Sequence, residues 1–377
     1  MGKALDGIRV LDLSQYMAGP LATTILADLG AEVIKIEPPW GEPLRTFPPD
    51  VRGVTPSIAY LARNKKGMTL DLKKERGIQI FKELVKHADV VVENFSTGVM
   101  ERLGIGYETL KDINPSIIYA SVSGFGRTGP YADRLSYDLI AQAYSGIMSL
   151  TAELNNPGGP PIVVADYIGD YVPPLVNTIC ILAALYYRKL TGRGQLIDVS
   201  QMGSMIFGLQ SIVTYMLTGE TGPQLRKKLP IPAYGTYKAK DGYVALAVTP
   251  GAIYDRFAKV LGKMAITQDD IKEWVGQRTV EEVVSTFVEA RVPVAPVLTV
   301  EEVVKDPHVL ASGWIVEVEH PTAGKLKVIR FPPMLSETPP KVELPPPLLG
   351  QHNEEILSTI LGYSKEEIAN LRKEGVI

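Results

Sequence analysis

The first 125 residues alternate β-forming runs with helical ones, and that alternation leaves the chain few folds. A β-rich run at 8–13 leads into a helical stretch at 20–29, closed by Gly30, and a second strand at 32–37. A short strand at 69–72, an amphipathic helix at 75–87 and strands at 90–93 and 117–121 follow. Sequence-adjacent parallel strands need a crossover, so this order implies a parallel sheet with helices on both faces. A helix at 182–189, the turn Gly192-Arg193-Gly194-Gln195 and a strand at 196–199 repeat the unit.

Beyond about residue 225 the texture changes. Strands at 234–237 and 243–248 flank Lys240-Asp241-Gly242, a hairpin signal, and helices at 254–261 and 280–289 precede Val292-Pro293-Val294-Ala295-Pro296. Residues 329–349 are proline-rich, hence extended, and suit a path over a surface or around a partner; two helices at 354–361 and 365–373 close the chain. At 377 residues the chain exceeds one typical core. The expected fold class is α/β: a large Rossmann-like parallel-sheet domain over 1–215 and 325–377, and a smaller α+β domain over 225–320.

Composition narrows the function. A net charge of −3 supplies no basic field, so no nucleic acid partner is expected. No uninterrupted apolar run reaches the ~18 residues of a spanning helix, so no membrane partner is expected either. The N-terminal residues lack an apolar signal core, and the lone Cys180 sits in a core-like helical run; both point to the cytoplasm. The histidines at 87, 308, 320 and 352 have no metal-ligand spacing, which argues against a metal site.

Several segments carry candidate chemistry. The loop Ser14-Gln15-Tyr16-Met17-Ala18-Gly19-Pro20 opens a strand–helix–strand unit ending at Glu37, but it lacks the G-x-G-x-x-G of a dinucleotide site. The cations from Arg63 to Lys74 suit either phosphates or a solvated turn. Asn94 and Phe95 directly follow the strand at 90–93, where ligands bind in open α/β sheets, though a cap and a core aromatic fit as well. The loop Ser123-Gly124-Phe125-Gly126-Arg127-Thr128-Gly129-Pro130 reads equally as a mobile cover or an inert connection. Asp170 precedes the pair Pro173-Pro174, which marks a helix start with the acid just outside it. The positive end of the helix would keep the carboxylate ionised, and Gly169 would leave the backbone open to a ligand. Locally, Asp170 is either a helix cap or a nucleophile.

Taken in order, these segments resemble the class III CoA-transferase family, the group that includes formyl-CoA and carnitine CoA-transferases and the 2-methylacyl-CoA racemases. The resemblance runs from Leu5-Asp6-Gly7-Ile8-Arg9-Val10-Leu11-Asp12 and Met17-Ala18-Gly19-Pro20 through Val92-Glu93-Asn94-Phe95 and Ser123-Gly124-Phe125-Gly126. It continues through Ile181-Leu182-Ala183-Ala184-Leu185, Thr191-Gly192-Arg193-Gly194-Gln195 and His320-Pro321-Thr322-Ala323-Gly324. It implies a catalytic aspartate 15 residues before Leu185, which is Asp170 (185 − 170 = 15), with Asp166 as the rival. It further implies a CoA site at Met17, Ala18, Leu70, Lys73, Asn94, Phe95, Ser96 and Arg102, with the backbone used at Leu70 and Ser96 and the cations on the CoA phosphates.

Two positions depart from the family pattern: Met17 replaces an active-site glutamine of formyl-CoA transferase, and Pro38 an arginine near the adenine. The glycine-rich cover of that enzyme is replaced by Leu229-Pro230-Ile231-Pro232-Ala233-Tyr234-Gly235. These departures argue against oxalate or formate as substrate. The implied reaction moves CoA from an acyl-CoA to a free carboxylic acid through an aspartyl-CoA thioester. Backbone N–H groups near Gly169 or in the 124–129 loop would stabilise the oxyanion. No cofactor is permanently bound, and coenzyme A enters as the thioester substrate. Racemisation, the alternative, needs a histidine where this chain has Tyr137, a poor base assigned instead to the substrate pocket. The resemblance also implies a homodimer with interlocked chains.

Overall fold

The computed structural model describes residues 2–228 and 233–377; the expected loop replacement at 229–235 therefore lies largely outside the described residues. Contacts divide the chain into two compact units, Met1–Gln210 with Gly313–Ile377, and Ser211–Ser312.

The larger unit is built on six parallel strands: β1 (Arg9–Asp12), β2 (Glu32–Glu37), β3 (Lys65–Thr69), β4 (Val90–Glu93), β5 (Ile118–Ser123) and β6 (Leu196–Ser200). Their order across the sheet is β3-β2-β1-β4-β5-β6. The sequence places two of them differently. The strand expected at 69–72 runs Lys65–Thr69 instead, and β5 extends to Ser123. Strands buried on both faces read as continuous apolar runs, and side chains alternate between faces. Leu11, Ile34, Val91 and Tyr119 enter one core with Phe81, Ile356 and Leu371 from the helices Glu75–Val85, Asn353–Thr359 and Lys365–Lys373. Val10, Val33, Val90, Val92 and Ile118 enter the other, with Leu26 and Ile181 from the helices Pro20–Asp28 and Ile168–Thr191.

The helix Ile168–Thr191 is 24 residues long with a mean hydropathy of 1.5 over its most apolar window, enough by length and composition to cross a membrane. One of its faces is packed in the sheet core through Ile181 and Ala184. Gly192, at φ +74°, ends it, as a residue without Cβ can. The proline-rich stretch packs on the same unit: Asn64 Oδ1 accepts from the backbone of Glu343 and Leu344, and Arg45 donates to the Pro347 carbonyl. The hairpin β10 (Ile315–His320) and β11 (Gly324–Ile329) also groups with this unit, so contacts set the boundaries at 211 and 312, where the sequence suggests 225 and 320.

The smaller unit has the antiparallel order β7 (Ala233–Lys238), β8 (Tyr243–Val248) and β9 (Val294–Pro296). The helices Ala252–Leu261, Gln268–Gly276 and Val280–Glu289 cover it around Phe257, Val275 and Phe287. Thr267 with Asp270, and Thr279 with Glu282, start the last two helices as reciprocal capping boxes.

Candidate active site

A parallel sheet gathers every strand's C-terminal end along one edge, and the loops leaving β1, β4 and β5 form a cavity of about 220 Å³ there. Its walls include Gln15, Tyr16 and Ala18 after β1, Asn94 to Thr97 after β4, and Ser123 and Gly124 at the end of β5. Val122, Ala132, residues 134–137, Gln201 and Asp170 complete it.

A buried charge network fixes the first wall. Asp12, fully buried at the end of β1, accepts from Lys65 Nζ at 2.9 Å, from Thr23 Oγ1 at 2.7 Å, and from the Ser14 hydroxyl and backbone N–H. Burial would raise the Asp12 carboxyl, but the Lys65 and Lys35 ammonium groups hold it down at about 2. The same lysines reach the loop backbone: Lys65 donates to the Pro20 carbonyl and Lys35 to the Ser14 carbonyl. Arg63 pairs with Asp28 at 2.7 Å, and Lys66 bridges Glu32 and Glu355. The Arg63–Lys66 cluster is thus neither a solvated turn nor a free phosphate site; much of its charge is spent inside the fold.

Asn94 ties two walls together. Its Oδ1 accepts from Gln15 N at 2.8 Å and its Nδ2 donates to Gln15 O at 2.7 Å, so its amide is occupied by the neighbouring loop. Phe95 lines the cavity while packing on the core beneath. Glu93, buried at the end of β4, accepts from Phe95 N at 2.8 Å, and burial pushes its carboxyl up to about 7. The loop after β5 is anchored. Gly126 N donates to Ser123 Oγ, Arg127 N donates to Asp198, and the Arg127 guanidinium pairs with Glu101.

Asp170 is 8% exposed and is the one carboxylate among the described residues lining the cavity. Its helix starts at Ile168, five residues before Pro173, so the proline pair lies inside the helix and Asp170 in its first turn. Proline has no N–H, and the carbonyls of Gly169 and Asp170 consequently lose their i+4 donors. Gln201, the first residue after β6, sits beside this opening; its Nε2 lies 3.5 Å from the Gly169 carbonyl and donates to Asp170 Oδ1.

The helix N-terminus is capped by another acid. Asp138, beginning the helix Asp138–Ser145, accepts from Gly169 N at 2.7 Å through Oδ1 and from Gln142 through Oδ2. A Cβ on Gly169 would lie 2.7 Å from the Asp138 carbonyl oxygen, so glycine here admits the neighbouring helix rather than a ligand. With the Gly169 and 126–127 amides engaged, the oxyanion donors expected from them are already in use. The helix end does not keep Asp170 strongly acidic: burial, then the nearby Asp138 charge, push its carboxyl up to about 7 against the Gln201 hydrogen bond.

The other expected residues divide. Ala18, Asn94, Phe95, Ser96 and Tyr137 line the cavity with Asp170; Tyr137 packs edge-on to Tyr16, ring centroids 5.7 Å apart. Met17 packs half-buried against Leu21 and Ile25, outside the lining. Leu70 is buried just after β3, its N–H donating to Glu37 O, and Lys73 lies over the Trp40 ring at 5.7 Å. Arg102 ends the short helix Val99–Arg102 that follows β4. These too lie along the C-terminal edge of the sheet. Asp166 is exposed, in the left-handed region at φ +65°, and does not line the cavity. Sequence reasoning passed over Gln201, Asp138 and Arg134. Gln201 carried the same signal as Asn94, a polar residue at the end of a parallel strand; the other two sit in irregular or newly started structure without one.

Residues 5–353 match CoA-transferase family III. The chain is 34% identical to a succinyl-CoA–D-citramalate CoA-transferase of Chloroflexus aurantiacus, the alignment covering all of this chain and 98% of that protein. It is likewise 34% identical to the human succinyl-CoA:glutarate CoA-transferase, over all of this chain and 90% of that one. Among solved structures, a CAIB/BAIF family protein from Brucella suis superposes with a TM-score of 0.82 at 29% identity, covering 96% of this chain and all of that one. A hypothetical protein from Mycobacterium tuberculosis gives 0.81 at 29% identity, covering 94% and 99%. The chain belongs to CoA-transferase family III. It is a class III CoA-transferase, an enzyme moving CoA between acyl-CoA thioesters and carboxylic acids.

Proposed function

We propose that this enzyme transfers CoA from a dicarboxylic acyl-CoA to a second carboxylic acid through covalent intermediates on Asp170. One observation carries the reading: the cavity's only carboxylate among the described residues is Asp170, held by Gln201 beside the loops after β1, β4 and β5. The names of the two curated relatives, each pairing succinyl-CoA with another dicarboxylic acid, support the substrate class.

The Asp170 carboxylate attacks the thioester carbonyl, giving an acyl–aspartyl anhydride and CoA thiolate. The thiolate attacks the aspartyl carbonyl, releasing the donor acid and leaving aspartyl-CoA thioester. The acceptor carboxylate displaces the thiolate as a new anhydride, and the thiolate then takes the acceptor's acyl group, freeing Asp170. CoA departs as a thiolate, so no proton needs to move to or from the nucleophile.

Met17, Ala18, Leu70, Asn94, Phe95 and Ser96 form the proposed CoA track, with Lys73 and Arg102 on its phosphates. A homodimer completes the proposal: Leu175, Ile179, Tyr186 and Leu190 form an exposed apolar stripe on the helix Ile168–Thr191, the kind of face a second copy covers. Asp170→Asn should lower CoA exchange between succinyl-CoA and a panel of acids by at least ~10³-fold while leaving the circular dichroism spectrum intact. Parent-level exchange in that variant would overturn the nucleophile assignment.

A further inference from the structure

Arg134 is the one cation among the described residues lining the cavity, as Asp170 is the one anion. Its described partners are aromatic: the guanidinium carbon lies 3.7 Å from the Tyr131 ring centroid, and Nη1 donates to the Tyr144 hydroxyl. Neither partner neutralises it. Phe125, Tyr131 and Tyr144 pack edge to face with centroids 5.0 to 5.9 Å apart, so the platform beneath the guanidinium is itself braced.

Stacking uses the face of a guanidinium and leaves its edge, which carries the five N–H donors, free for a planar anion. Tyr144 occupies one nitrogen of that edge. A carboxylate meeting the rest would form charge-assisted, in-plane hydrogen bonds with a side chain whose freedom is already restricted. Ala18, Phe95, Val122 and Leu135 supply apolar wall for a methylene chain. At about 220 Å³ the cavity is smaller than the ~300–1,000 Å³ typical of drug-sized sites, which suits a short acyl chain.

We infer that Arg134 is the specificity-determining residue that binds the distal carboxylate of a short dicarboxylic acyl group while its thioester end faces Asp170. The inference rests on the proposed transferase reading and adds the residue that selects the acid. Gln15, Ser123 and Ser136 offer polar lining but no charge, so a monocarboxylic acyl group of equal length would leave the guanidinium without its anion.

Succinyl-CoA and butyryl-CoA share the CoA portion and differ by the distal carboxylate, so the ratio of their kcat/KM values isolates that group. The wild-type ratio should favour succinyl-CoA, and Arg134→Gln should reduce it on the order of 10- to 100-fold. Arg134→Lys, which keeps the charge and loses the fork, should retain part of the preference. A ratio unchanged in Arg134→Gln, with both donors slowed equally, would overturn the inference and assign the guanidinium to CoA itself. Adduct formation at Asp170 separates the two readings. Label at Asp170 with an unchanged ratio sinks only the role of Arg134, whereas a shifted ratio without label sinks only the covalent route.

Discussion

On the proposed route Asp170 combines two roles that oppose each other, nucleophile and buried acid. Its carboxyl is raised from 3.8 to about 7 by burial and by Asp138, so the neutral form dominates below neutrality. A nucleophile must be ionised, and kcat/KM should therefore rise with pH through about 7. Asp138→Asn removes a like charge and should move that rise to lower pH. Gln201→Leu removes the hydrogen bond that favours the anion and should move it higher. A pH–rate series on the three proteins checks both directions. The sign for stability follows from the same shift. A carboxyl raised on folding binds more protons folded than unfolded between 3.8 and about 7, so it lowers stability as pH rises through that window. Asp170→Asn should therefore melt about 2–4 °C above the parent near pH 8, the gap closing towards pH 4. A parent that melts higher than the variant at pH 8 would contradict this. The position of Asp170 was legible from ordered sequence segments, but its environment was not: Asp138 and Gln201 come from 32 and 31 residues away (170 − 138 and 201 − 170). The proline pair also misplaced the helix start, because tertiary contacts extend the helix past a signal that normally opens one.

At the scale of elements, the apolar runs announced most strands of the parallel sheet, while the charged start of β3 was misread. Lysines in a row usually face solvent; here Lys65 finds Asp12 across 53 residues of sequence, a pairing no local pattern encodes. Burial draws the Lys65 ammonium down to about 8, with Asp12 opposing that fall. Lys65→Met would strip the buried Asp12 carboxylate of its directly bonded cation, leaving it the more distant Lys35 and the Thr23 and Ser14 donors, and should cost roughly 2–4 kcal/mol in urea unfolding. The double variant with Asp12→Asn should cost less than the sum of the single changes, because the two residues share one network. Simple additivity would show that the pair is uncoupled. The packing of the helix Asp138–Ser145 on the Asp170 helix depends on Gly169 in the same way. Gly169→Ala forces a methyl group against the Asp138 carbonyl and should cost roughly 1–3 kcal/mol.

For the whole molecule, the layered α/β design of the large unit follows from strand–helix alternation, whereas the boundaries of the small unit do not. The hairpin Ile315–Ile329 has the antiparallel texture of the smaller unit and yet groups with the larger, through Ala323 and Leu326 in a cluster with Leu21 and Ile58. The exposed stripe on the helix Ile168–Thr191 is the face that the proposed homodimer would cover. In detergent-free buffer the chain should run as a dimer by light scattering, and Ile179→Glu with Leu190→Glu should shift it towards monomer; a monomeric parent would contradict the homodimer. The proposed chemistry nonetheless turns on one carboxylate. Incubation with succinyl-CoA, quenching with hydroxylamine and peptide mapping by mass spectrometry tests it most directly. The account predicts an aspartyl hydroxamate at Asp170 that requires the acyl-CoA and is lost in Asp170→Asn. Hydroxamate at Asp166 or at no residue, with CoA exchange proceeding normally, would contradict it.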